Sequence, residues 1–288
     1  MKFTKLFITA GLIILPTKLL AYTLQTPLDL IEWDFKGDRF LCQMETPLKF
    51  DGYARITAES GQLPALSLDT FQRPVSVDSA WLSLNEQVWR LDKLSHKWLY
   101  GSSSGESGLY FDDARAIKAL LNKMEKGAWA QVSVKDKDSG EVKSWDIPSV
   151  NFSQSLQEMK QCMAQLMPIN FEQARDNVFH FSLNATELTP ADKERLALIA
   201  QYVAYDKSLT HILVDGHTDS SGHSLTNLKL SKKRANQVRD ALIELGVDRT
   251  LVEVRGHGDR YPLVPNSHYA NREKNRRVQV RLIQGGAS

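Results

Sequence analysis

From Tyr22 to about Leu166, apolar positions recur mainly with period two, in short runs broken by turn-forming residues. Trp33-Asp34-Phe35, Arg39 to Gln43, Tyr53 to Thr57, Ala80 to Leu84, Val88 to Leu91, Trp98 to Tyr100, Ala128 to Val134 and Val142 to Ile147 are read as strands. Lys36-Gly37-Asp38, Asp51-Gly52 and Asp138-Ser139-Gly140 mark turns between them. Two stretches switch to helical spacing: Asp112 to Lys126, with Ala116, Leu120, Leu121 and Met124, and Ser153 to Leu166. This pattern predicts a small β-barrel or sandwich carrying two helices, with five tryptophans (Trp81, Trp89, Trp98, Trp129 and Trp145) as core candidates.

After a short boundary at Met167-Pro168 the pattern changes. Val178 to Phe181 reads as a strand, and Thr189-Pro190-Ala191-Asp192 as a capped helix start leading to Leu196, Ile199 and Val203. A buried strand ends at Val214, followed by a turn-rich loop with Asp219 and Gly222. The next helix is predicted to start with Ser231 as its cap and to run through Val238, Leu242 and Leu245. Leu251 to Arg255 as a strand, a short helix near Ala270 to Asn275 and a strand at Val278 to Leu282 complete the chain. The order βαβαβ followed by αβ predicts a mixed α/β sandwich with its helices on one face. The chain therefore divides at 22–166 and 168–288 into an α+β two-domain protein.

Arg234 draws attention because helical spacing puts it on the side shared by Leu230 and Val238. A guanidinium there needs an anion, since burying it unpaired is costly. Two anions are available. Asp219 would make a structural salt bridge; an external carboxylate would also feel the free N–H groups of the predicted helix start.

Composition narrows the function classes. The 288 residues are 42% hydrophobic and 24% charged, with a net charge of +2, which fits two domains with ordinary cores and gives no sign of nucleic-acid binding. Basic residues do cluster, at Lys229, Lys232, Lys233 and Arg234 and at Arg272, Lys274, Arg276 and Arg277; they read as a solvated surface or as contacts to an anionic polymer. Residues 1–21 read as a secretory signal, with Lys2 and Lys5, an apolar run from Leu6 to Leu15, and Ala21 at the end. That run is too short to span a bilayer and no later stretch is long enough, so the mature chain is expected to be exported without a transmembrane segment. In an oxidising compartment Cys42 and Cys162 are most simply a disulfide, against the alternative of two buried thiols. Gly101 to Gly105 matches G-x-S-x-G but sits in a Ser/Gly loop instead of a strand–turn–helix elbow. His217 and Asp219 lack a third metal ligand, and no nucleophile–base–orienter set is present, so neither metal, cofactor nor enzymatic chemistry is expected.

Four ordered blocks, G-H-T-D-S-S-G, N-L-K-L-S-K-K-R-A, R-G-H-G-D-R-Y-P and N-R-E-K-N-R-R-V, resemble the OmpA-like peptidoglycan-binding domain, including the fifteen positions from Asp219 to Arg234. The resemblance implies that Asp219 and Arg234 hold the two charged ends of the diaminopimelate side chain of the stem peptide. It also implies that Thr218, Asn227 and Leu230 line the site, and that Asn184 and Arg276 contact the stem peptide. Structural readings stand beside these: Asn227 bracing the loop, Thr218 capping a turn, Arg276 as a sheet-edge charge. Asn271-Arg272 departs from the Gly-Arg usual in the family.

The first half resembles the MotY family of periplasmic flagellar-motor proteins in W-D-F-K-G-D-R-F-L-C-Q-M, in F-D-G-Y-A and, at the junction, in C-M-A-Q-L-M-P-I-N-F-E-Q-A-R. That resemblance implies a static, non-enzymatic anchor. The first domain would attach to the basal body and to companion ring proteins such as MotX, and the second would grip peptidoglycan in support of stators of the MotB/PomB type. Its expected place is the periplasm, at the basal body and the cell wall or outer membrane. The alternative is a general envelope tether without a flagellar role.

Overall fold

The computed structural model describes residues 21–49, 51–71, 76–85, 97–101, 104–105 and 108–285. Residues 1–20 of the predicted signal, the strand expected at Val88 to Leu91 and Trp89 lie outside the described residues.

In chain order the first half contains β1 (Ala21–Gln25), β2 (Asp34–Gly37), β3 (Leu41–Leu48), β4 (Gly52–Glu59), β5 (Ala65–Asp69), β6 (Val77–Asn85), β7 (Lys97–Gly101), β8 (Ser104–Gly105), β9 (Gly108–Phe111), α1 (Ala114–Met124), β10 (Trp129–Asp136), β11 (Val142–Ile147) and α2 (Phe152–Met163). The second half contains α3 (Phe171–Arg175), β12 (Asp176–His180), α4 (Pro190–Tyr205), β13 (Leu209–Gly216), α5 (Ser224–Glu244), β14 (Val252–Gly256), α6 (Tyr269–Asn275) and β15 (Arg277–Gln284).

The strands form three sheets, ordered β1-β11-β10-β6-β7, β2-β3-β4-β5-β9-β8 and β12-β15-β13-β14. Among the described residues neither sheet of the first half closes on itself, so the barrel alternative gives way to open sheets. By packing, the described chain falls into two compact units. One takes the residues up to Asp34, Glu45–Ile56 and Ala65–Leu156; the other takes Phe35–Met44, Thr57–Pro64 and the residues from Gln157 onward.

The first unit is built on alternating strands and the amphipathic helix α1. Asp113 caps that helix by accepting from Ala116 N at 2.7 Å, and Ile117 and Leu120 are buried. Trp129 and Trp145 are buried as expected, whereas Trp81 is half-buried. Trp145 Nε1 donates to buried Asp51 at 2.7 Å, and Lys143 Nζ reaches the same oxygen at 2.9 Å, so this buried acid is both paired and hydrogen-bonded.

In the second unit β13 is parallel to β14 and antiparallel to β15, which pairs β12 on its other side, giving the mixed sheet that was expected. Ile212, Val214, Val278, Val280 and Leu282 point to one face and pack with Leu196, Ile199 and Val203 of α4 and Ala235, Val238 and Leu242 of α5. The start of α4 is as predicted. Thr189 caps it, Asp192 returns the hydrogen bond to Thr189 N at 3.1 Å, and Pro190 occupies the first turn. Cys42 and Cys162 are joined in a disulfide that closes 120 positions of chain.

Candidate functional site

The loop after β13 and the helix α5 are brought together by one close approach. A Cβ at Gly216 would lie 2.1 Å from the backbone oxygen of Ser231, so only glycine lets strand and helix backbones touch there. Helix α5 begins at Ser224, eight residues earlier than predicted, and its N-cap His223 makes no side-chain cap bond. Ser231 is therefore not a cap. Inside the helix its hydroxyl donates to Leu228 O at 2.9 Å and accepts from Gly258 N at 2.9 Å, tying α5 to the loop after β14. Arg234 accordingly lies in the middle of a 21-residue helix, away from the free N–H groups of its first turn.

Arg234 is fully buried, as its spacing required, but it makes no salt bridge with Asp219. Its Nε donates to Ala185 O at 2.8 Å and its Nη2 to Ser182 O at 2.9 Å. These carbonyls belong to a turn closed by Ala185 N donating to Ser182 O at 3.1 Å, with exposed Asn184 in the left-handed region at φ 58°. The guanidinium carbon lies 5.2 Å from the ring centre of buried Phe181. Nη1 is buried and has no partner. Burial, and then the positive charge of Arg276, pull the pKa of Arg234 down to about 10, against the opposing pull of Asp219.

Asp219 pairs instead with Arg276, whose Nη1 donates to Oδ2 at 2.9 Å. Ser221 N donates to the other carboxylate oxygen at 2.9 Å. Burial alone would raise the pKa of Asp219, but the hydrogen bonds from Arg276 and Ser221 outweigh it and hold the carboxyl below its usual range. Arg276 is not a sheet-edge surface charge. It is buried, its Nε donates to Phe181 O at 3.0 Å, its guanidinium lies 5.5 Å from the Tyr269 ring centre, and Nη2 has no partner.

The other residues expected at the site divide. Asn227 braces the loop by donating to Asp219 O at 3.3 Å. Thr218 is buried, with its backbone N–H on Gly258 O at 2.9 Å and its hydroxyl without a partner. Leu230 is half-buried on α5. Asp219 thus pairs with Arg276 alone and acts on Arg234 only through its charge, so two buried guanidiniums stand near one carboxylate, each with one nitrogen lacking a partner. The chemistry such a centre can perform is the bidentate capture of an anionic oxygen pair.

Sequence reasoning missed the supports of this centre. Asn275 is fully buried: its Oδ1 accepts from Leu263 N at 2.8 Å and Val264 N at 3.2 Å, and its Nδ2 donates to Val264 O and Asn266 Oδ1, each at 2.8 Å. Asn266 in turn accepts from Ser220 N at 3.3 Å, which fixes the Asp219 loop next to Arg276. The two carbonyls that hold Arg234 carry no side-chain signal at all. No group of three His, Cys, Asp or Glu side chains suited to a metal is present among the described residues.

The domain of mixed sheet and helices that carries this centre spans the residues, 180–276, that match the OmpA family. Residues 24–168 match the MotY N-terminal domain. The sodium-type flagellar protein MotY of Vibrio parahaemolyticus is 31% identical over 248 residues, covering 84% of this chain and 83% of that protein. The putative lipoprotein YfiB of Escherichia coli is 38% identical over 101 residues, 35% of this chain and 62% of its own length. Among solved structures, the peptidoglycan-associated lipoprotein of Burkholderia pseudomallei aligns with a TM-score of 0.36 and 31% identity, over 38% of this chain and 90% of that one. The chain belongs to the MotY family.

Proposed function

We propose that this chain is a non-enzymatic periplasmic component of the flagellar motor that anchors to peptidoglycan. Residues 168–288 form the anchoring domain and residues 22–166 the motor-associating domain. The observation that carries the reading is the imbalance at the centre: Arg234 and Arg276 are both buried, only Arg276 is paired with Asp219, and the two retain unpartnered nitrogens at Nη1 and Nη2 respectively. A carboxylate of the stem peptide supplies the missing anion, with Thr218 beside it. The second lone pairs of Asp219 take the adjoining ammonium of diaminopimelate. Asn184, on the turn held by Arg234, and Asn227 and Leu230, on α5, border the ligand.

The match of residues 24–168 to the MotY N-terminal domain supports a flagellar setting over a general tether. In this reading the first domain attaches to the basal body and to ring proteins such as MotX, and gives stators of the MotB/PomB type a fixed support. A tether under load gains from a slow off-rate, which a desolvated charged clamp supplies. Deleting the gene tests this at the level of the cell. Assembled filaments that do not turn, on cells of normal shape, are expected; normal swimming with a blebbing envelope would replace the motor role with that of a general tether.

A further inference from the structure

A second charged cluster lies on the sheet face away from α5. Alternation puts Asp215 and His217 opposite the core residues Ile212 and Val214, and puts Arg277 and Arg281 opposite Val278 and Val280. The one buried carboxylate there is saturated. Asp215 Oδ1 meets Arg255 Nε and His257 Nε2, each at 2.7 Å, while Oδ2 accepts from Arg255 Nη2 at 2.8 Å and Arg281 Nη2 at 2.9 Å.

Arg277 is left outside this network although it is only 6% exposed. Its Nη2 donates to Tyr261 O at a long 3.4 Å, and its Nη1 is buried without a partner. His217 sits directly across the strand pair, its backbone N–H on Arg277 O at 2.8 Å. The His217 ring is equally buried, stacks on His257 at 4.9 Å, and has no partner at Nδ1. Burial first, and then the charge of Arg277, push its pKa down to about 4, so at neutral pH the ring is uncharged and free to carry its proton on Nδ1. Exposed Tyr261 stands edge-on to His257 at 5.4 Å and supplies the carbonyl to Arg277.

We propose that Arg277 and His217, beside Tyr261, form a second anion site that takes one small oxyanion, the phosphate or carboxylate group of a larger ligand. A buried guanidinium hydrogen-bonded to no anion is destabilising, and Asp215, whose charge it feels, already accepts two bonds on each oxygen. A guanidinium edge and a neutral imidazole N–H supply directed donors for two oxygens of one anion. Because the site uses neither Arg234 nor Arg276, it stands independently of the peptidoglycan reading.

The test is a titration of the full chain with inorganic phosphate, and separately acetate, at pH 7.5 and constant ionic strength. The readout is the ring resonances of His217 and His257. Saturable shifts are expected, with half-saturation raised about tenfold or more in Arg277→Gln, the scale of one lost charge-assisted contact. Tighter binding of phosphate points to a phosphate ester as the source, and tighter binding of acetate to a peptide carboxylate. Shifts that do not saturate, or that saturate alike in Arg277→Gln, overturn the proposal. Should that variant not fold, Arg277→Lys, which keeps the charge but loses the planar fork, is expected to show the same loss.

Discussion

Asp219 accepts a hydrogen bond from Arg276 Nη1 at 2.9 Å, and both side chains are almost wholly withdrawn from solvent. The pair anchors the loop after β13 to the start of β15, and Arg234 completes a group of two cations and one anion. Removing the acid leaves Arg276 without its carboxylate partner and takes away the negative charge that Arg234 feels. Asp219→Ala is therefore expected to lower stability by about 3–5 kcal/mol, the range for breaking a buried pair from one side. Urea unfolding measures it, and a loss below about 1 kcal/mol, typical of exposed pairs, would contradict the assignment of this pair as buried and structural.

The contact between β13 and α5 sets the spacing of the centre. Gly216→Ala brings a Cβ against the Ser231 carbonyl, a backbone atom that cannot rotate away. The helix must shift, at a cost of about 1–3 kcal/mol as for other overpacked sites, and the shift displaces Arg234. Affinity for peptidoglycan should fall with stability in this variant, whereas Gly140→Ala, which strains only its own turn at φ 71° and whose Cβ meets nothing within 4 Å, should leave that affinity unchanged.

His217 imposes a pH dependence. Its pKa falls from the ordinary 6.5 to about 4 in the folded chain, so between those values the unfolded chain binds more protons. Stability is then full above pH 6.5 and declines as pH falls toward 4, by at most about 1.4 kcal/mol per pH unit. Asp215 and Asp219, both held below the usual carboxylate range, contribute their losses only at lower pH. Unfolding midpoints across pH 4 to 7 should show the slope in the native chain, and His217→Gln should flatten it.

The Cys42–Cys162 bond closes 120 positions, so its reduction should destabilise by about 4–5 kcal/mol in the chain-entropy description. Thermal unfolding with and without reductant measures this, and the Cys42→Ser, Cys162→Ser double variant should match the reduced chain.

Much of this architecture was legible in the sequence because period-two and period-3.6 patterns were strong where one face is buried. The strands near Tyr53, Ala80, Ala128 and Val142, helix α1 and the capped start of α4 all fall where their patterns put them. The start of α5 did not, because Leu225 and Leu228 are solvent-exposed and Ser231 mimics a cap while serving as a tie to Gly258. Strand β13 continues to Gly216 with a buried Asp215, and a charge in that position reads as the end of an apolar run. Arg234 was recognisable as a buried cation from its spacing, yet its partners are two backbone carbonyls, which no side-chain pattern encodes. The Asp219–Arg276 pair joins residues 57 positions apart, and only the antiparallel return of β15 beside β13 brings them together.

Whether Arg234 and Arg276 receive a stem-peptide carboxylate is decided by calorimetry with a soluble stem peptide ending in diaminopimelate. The account predicts saturable binding to the native chain, weakened about tenfold or more in Arg234→Gln, and equally weakened when the diaminopimelate side-chain carboxylate is amidated. Binding that is indifferent both to Arg234→Gln and to amidation of that carboxylate would contradict it.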